Sequence, residues 1–273
     1  MAKDSNESVS GLVTELILIA KDNPETKEAA KNLASTAKII TGTLKRAVIP
    51  LAVVNYGIDK FENYIKNQFQ SDMNSKTLRI PAENVIDPKE SIAGPVLQGL
   101  VYTHTEESLK EMYLNLLASA MNSKTAGETH PSYVEIIKQL SSEEAMLLKI
   151  YLSQDQFTAV ELHLVLNEKS SFQRAARHIV NLTDSSTGSP MVIAMMSAYI
   201  ENWVRLGLFE VDYTTYQSDE GAYDWVEQRP EYLSHVVPKA VESEFQRILE
   251  ITRGIMVRTK YGEIFGRVVG ISS

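Results

Sequence analysis

Cysteine is absent from the 273-residue sequence. That excludes disulfide frameworks, cysteine-based zinc sites and thiol nucleophiles, and it agrees with a reducing cytoplasm as the expected location. The 13 glycines are scattered, and neither a Gly-Lys-Ser/Thr phosphate loop nor a Gly-x-Ser-x-Gly elbow occurs. Histidines stand at 104, 130, 163, 178 and 235 without the His-Glu-x-x-His spacing of a zinc site. Carboxylate pairs such as Glu106-Glu107 and Glu143-Glu144 sit where helix N-termini want negative charge, so they read as caps. These absences predict no enzymatic activity, no metal and no cofactor.

Positive charge is also in deficit. With 27 Lys and Arg against 35 Asp and Glu, the formal charge is -8, whereas a sequence-independent nucleic-acid binder needs clustered cations to release phosphate counterions. No apolar run reaches the roughly 20 residues that span a bilayer. The most apolar one, Ala47 to Ile58, is interrupted by Pro50 and reads as a kinked, buried helix. The opening MAKDSNESVS has no basic region leading into an apolar run, so no signal peptide is expected.

What the sequence does contain is helical periodicity. Leu109, Met112, Tyr113, Leu116, Leu117, Ala120 and Met121 recur at steps of three and four and predict a core-facing helix, with Thr105 as N-cap and Ala126-Gly127 as its stop. A second helix opens at His130-Pro131, where proline's missing donor costs nothing, and carries Tyr133, Ile136, Ile137 and Leu140. Ser141 to Glu144 forms a capping box for a third, whose apolar face is Ala145, Leu148, Tyr151 and Leu152. Three amphipathic helices on short connections hide their stripes only by packing together, which predicts a helical bundle.

Ahead of these, a short helix over Gly11 to Lys21 and a longer one from Pro24 are expected. In the longer one Leu33, Ala37, Ile40, Leu44 and Val48 line one face, while Lys31, Lys38 and Lys45 repeat every seven residues on another. That face reads as core or subunit packing, with an anionic membrane surface as the alternative. Phe61, Tyr64, Ile65 and Phe69 continue a helical face, SDMNSK (71–76) reads as a linker, Leu78 to Pro81 as extended, and Asp87-Pro88 as the cap of a helix burying Ile92, Val96 or Leu97, and Leu100.

Beyond Leu152, Thr158–Leu166 and Ser171–Leu182 read as short helices and 184–190 as a loop. Met191 to Leu206 reads as a strong helix ended by Gly207. Met191, Met195 and Met196 suggest adaptable core packing, or else a partner surface. Leu208 to Tyr213 alternates like a strand and an acidic excursion follows. A helix from Pro238 would bury Val241, Phe245, Ile248 and Leu249, Gly254 to Thr259 would return as a strand, and Tyr261 to Val269 would close as a helix. The expected fold is therefore mainly α: a flexible start over 1–24, a helical domain over 25–140, and a winged-helix-like α+β domain with a small hairpin over 141–273, carrying an acidic insertion at about 213–238. Arg174 and Arg177 beside His178 form one basic cluster, and Arg253, Arg258, Lys260 and Arg267 another.

Several words in this order, Ile80-Pro81, Ala93-Gly94-Pro95, Leu116 to Met121, His130-Pro131, Leu140-Ser141 to Ala145, Ile200-Glu201-Asn202, Leu206-Gly207-Leu208, and Thr259 with Gly262 and Phe265, resemble the Abi-alpha family of bacterial proteins linked to phage abortive infection. The likeness runs from about Lys27 onward and thins over 154–190 and 213–238. It implies a role in phage defence and assigns no mechanism to named residues. The leading expectation is a non-enzymatic defence protein whose partner is a phage or host protein, with homo-oligomers as a further reading. The alternatives are a winged-helix regulator touching DNA and a membrane-active effector using Lys27 to Ile58. The candidate interaction residues are Lys31, Lys38, Lys45, Arg46, Arg174, Arg177, Arg253, Arg258 and Lys260.

Overall fold

A computed structural model describes residues 60–61, 63–166, 172–236 and 247–271. The helices expected over 11–58 lie outside the described residues, with Lys31, Lys38, Lys45 and Arg46, as does the Pro238 to Phe245 segment. The chain divides into two compact units, one of residues up to Tyr151 together with Ile264–Ser273 and one of Leu152–Glu263.

In the helical unit, Ile65, Phe69, Met73 and Thr77 follow one another at steps of four and are all buried. This stride runs through a π-helical turn, Ile65–Phe69, into α1, Gln70–Thr77. The polar SDMNSK segment is thus helical and not a linker, because Met73 and Thr77 anchor it and the Thr77 hydroxyl donates to the Met73 carbonyl at 3.0 Å. Nor is 78–81 extended: Ile80 N–H donates to the Thr77 carbonyl and Asn84 N–H to that of Pro81, making consecutive turns.

Helix α2, Glu90–Thr103, starts after Lys89 and so does not use Asp87 as its cap. It buries Ile92 and Leu100 as expected, and both Val96 and Leu97 where one of the two was expected. Helix α3, Glu107–Ala120, starts after Glu106 and ends at Met121, so neither Thr105 nor Ala126-Gly127 bounds it. Its seven predicted apolar residues are all buried, and so are Ser108, Leu114 and Ala118. A helix covered on nearly every side is the centre of its unit. Gly99 of α2 lets α3 approach, since a Cβ there would lie 2.4 Å from Tyr113 Cζ.

Helices α4, Pro131–Ile137, and α5, Ser142–Tyr151, form as expected. The His130 ring accepts from Ser132 N–H at 3.2 Å. The capping box closes from both sides, with Glu144 N–H donating to Ser141 Oγ at 3.2 Å and Ser141 N–H to the Glu144 carboxylate at 2.8 Å.

The second unit overturns the winged-helix expectation. Thr158–Leu166 and Ser171–Leu182 do not form helices; β1, Gln156–Leu166, and β2, Phe172–Val180, are antiparallel strands. With β3, Phe209–Asp212, and β4, Arg247–Arg258, they make one curled antiparallel sheet in the order β2-β1-β4-β3. Four paired strands, two of them of 11 and 12 residues, are too much for a mainly α protein with a two-stranded wing. The physical reason is a period of two: Val160 and Leu162 are buried on one face while Glu161 and His163 point to the other. Ile248 and Leu249, expected inside a helix, are strand residues of β4, and Ile248 is 55% exposed.

The acidic excursion is likewise no wing insertion. Tyr223 and Val226 pack on Val160, Leu162 and Ile179. Trp225 Nε1 donates to Thr158 Oγ1 at 3.1 Å, and the Tyr223 hydroxyl to the Gly254 carbonyl at 2.9 Å. This segment covers the apolar face of the sheet and carries the short α7, Pro230–Leu233.

Helix α6, Met196–Arg205, is shorter than expected and is closed by Gly207 at φ 75°. Helix α8, Lys260–Val268, begins in the sheet unit. Its later part belongs to the helical unit, where Phe265, Val268 and Val269 are buried and Phe265 meets the Tyr133 ring edge-on at 5.5 Å. The orphan carbonyls at its end are satisfied by α3: Asn115 Nδ2 donates to the Val269 carbonyl at 3.1 Å and Ser119 Oγ to that of Val268 at 2.9 Å. Replacing Asn115 and Ser119 together by alanine should lower the unfolding free energy by about 1–3 kcal/mol in a urea titration, with helical circular dichroism retained.

Candidate functional site

The polar side of the sheet is built on a slip in the β1–β2 pairing. Val160 pairs with Ile179 and Leu162 with Ala176, so two residues, Arg177 and His178, oppose the single Glu161. The register slips again before His163↔Arg174. Such bulges re-aim side chains, and here they bring Arg174, Arg177 and His178 together around Glu161.

Glu161 is buried, with Arg177, Arg174 and His163 around its carboxylate. Its Oε1 accepts from Arg177 Nε at 2.7 Å and lies 3.6 Å from Arg174 Nε, while Oε2 is 3.2 Å from His163 Nε2. Behind His163, Thr252 Oγ1 of β4 stands 3.2 Å from its Nδ1. A carboxylate out of water is tolerated because cations and donors replace its hydration.

His178 pays the backbone cost of the bulge, with φ at 55°, in the left-handed region that a side chain with a Cβ disfavours by about 1 kcal/mol. Tyr213 offsets it. His178 N–H donates to the Tyr213 oxygen at 3.2 Å, and the hydroxyl stands 2.9 Å from Nδ1 with the rings stacked 5.9 Å apart. Burial holds the Tyr213 hydroxyl above its ordinary pKa, so it keeps its proton. On the other side of the ring, Nε2 faces the Glu201 carboxylate at 3.9 Å. Tyr213 can lie here only because position 254 is glycine, where a Cβ would come within 2.4 Å of its Cδ1.

A second feature is an apolar run held in place by a buried arginine. Arg229 donates to the Leu182 and Met191 carbonyls, each at 2.9 Å, and grips the Glu231 carboxylate at 2.7 and 3.1 Å. It therefore clamps both ends of the 184–190 loop, whose turn Asp184 organises by accepting from the Ser186 and Thr187 N–H groups. Immediately after the clamp Met191, Val192 and Met195 are 40%, 52% and 53% exposed, whereas Met196 is buried. The methionine trio thus divides between surface and core.

Among the described residues, Arg174 and Arg177 are the only ones brought together of the basic residues singled out in the sequence. Arg253 lies on the apolar face, its guanidinium 5.3 Å from the Tyr223 ring centroid. Arg258 is tied to the Leu152 carbonyl and Asp155, Lys260 to Glu263 at 2.9 Å, and Arg267 to Glu128 at 2.9 Å. The second basic cluster is therefore separate structural pairs. A helical reading of 158–166 hides the roles of Glu161 and His163, and Glu201 and Tyr213 join the cluster through tertiary packing that no local pattern signals. Among the described residues no group of His, Asp or Glu is arranged to hold a metal ion, and no helix is long and apolar enough to cross a membrane.

A helical unit followed by a bulged, four-stranded sheet unit defines an α+β protein with its polar cluster on one sheet face. The chain belongs to the Abortive infection alpha family, whose model matches residues 61–269 and so covers both units. No curated protein and no solved structure matches it.

Burial, with Arg177 adding to it, pushes the His178 imidazole down from 6.5 to about 4. The unfolded chain therefore binds the proton first as pH falls. The contribution of the neutral ring to stability is full above about pH 6.5 and declines toward pH 4. In His178→Asn, which removes the titration and tolerates the left-handed backbone, the dependence of Tm on pH across that window should flatten.

Proposed function

We propose that this protein acts in abortive infection, limiting phage growth by binding another macromolecule and not by turning over a substrate. The observation that carries this reading is the family match across residues 61–269. The exposed Met191, Val192 and Met195 run supports a protein as the partner, of phage or host origin, because polarisable, unbranched methionine adapts to a docking surface and the Arg229 clamp fixes the run beforehand. The winged-helix route to DNA has no place in this reading, since the elements assigned to it form the four-stranded sheet.

The test is infection of matched bacterial strains carrying the wild-type gene, a deletion, or Met195→Glu. Wild type should reduce plaque number or burst size against at least one phage of a broad panel. Met195→Glu should lose that protection while keeping the wild-type Tm, because the side chain is on the surface. Equal plaque counts for wild type and deletion across the panel would refute the defence role. Full protection by Met195→Glu would refute the apolar run as the docking surface.

A further inference from the structure

We propose that Arg174 and Arg177 form a binding site for a terminal phosphate monoester, independent of the apolar run and of the family role. Both guanidiniums meet the same Glu161 oxygen through Nε, at 3.6 and 2.7 Å, so a single buried carboxylate sets two arginines side by side on β2. Using Nε for this leaves the terminal nitrogens to point onward. Those of Arg174 meet no partner among the described residues, and its side chain is 50% exposed. Arg177 spends one terminal nitrogen on a 3.4 Å contact with Glu201, a carboxylate itself 56% exposed, which an incoming anion can replace.

Two guanidinium forks select the ligand by geometry. Each presents parallel N–H groups that match a pair of oxygens. A carboxylate has two oxygens and saturates one fork, whereas a terminal phosphate has three and carries up to two negative charges, enough for both. Glu201 near the pair and Glu250, which pairs with His163 on β4, add negative charge to the surroundings, and the whole chain is acidic at -8. That environment disfavours a long polyanion, whose charges along its length would meet them, and favours a single compact dianion held at one point.

The experiment is calorimetric titration of the full-length protein, in a low-chloride buffer, with inorganic phosphate, a nucleoside monophosphate, and one short oligonucleotide with and without a 5′-phosphate. Saturable binding of phosphate and the monophosphate is expected below ~10 mM. Arg174→Ala and Arg174→Lys should each weaken it at least about tenfold, lysine failing because it has no fork. If the 5′-phosphorylated oligonucleotide binds and its unphosphorylated twin does not, the source is a nucleic-acid end; if only the small ligands bind, it is a free nucleotide. Circular dichroism and Tm check that the variants fold, as the exposure of Arg174 leads one to expect. The proposal is overturned if wild type shows no saturable phosphate binding, if Arg174→Ala binds as wild type does, or if the unphosphorylated oligonucleotide binds as tightly as the phosphorylated one.

Discussion

The pairing of β1 with β4 is the constraint on which the sheet unit depends. It runs without a slip from Gln156↔Val257 to Leu166↔Arg247. Because side chains alternate with a period of two, this register assigns Val160 and Leu162 to the face covered by the 222–232 segment, and Glu161 with His163 to the other. A slip of one residue would bury the carboxylate among Tyr223 and Val226 and put the leucine in its place. The regular ladder on one side of β1 is what lets the other side, against β2, carry two irregularities without loss of the strand.

Those irregularities have a further effect at the sheet margin. An edge strand offers unpaired backbone groups to other chains, and bulges and charges are the usual protections. Strand β2 has both, in two register shifts and in Arg174 and Arg177. The features that assemble the polar cluster are thus the same ones that blunt the edge.

The helical unit was largely legible because its signals are local. A capping box, a proline at the first turn and a stride of three and four act within a few residues, and α3, α4 and α5 formed where those signals lay. The sheet unit was misread where local and distant preferences conflict. TAVELHLVL alternates Val160, Leu162 and Leu164 with Glu161 and His163, a period-two signal, but it is composed of good helix formers, and only pairing with β4, almost ninety residues away in register (His163↔Glu250), decides the matter. The bulge could not be read at all, since nothing in Arg177-His178 by itself demands a left-handed backbone. The segment 71–76 failed for the opposite reason: its polar surface was visible, while the anchoring by Met73 depends on tertiary packing.

The helical unit is discontinuous, made of the first part of the chain and its last few residues. A ribosome releases the chain from the N-terminal end, and units generally fold as they emerge. Here Asn115 and Ser119 wait for carbonyls at 268 and 269, and Tyr133 for Phe265, until the sheet unit between them has been made. The first-made part of the helical unit must therefore persist without the α8 residues that close it until the whole intervening sheet unit has been synthesised.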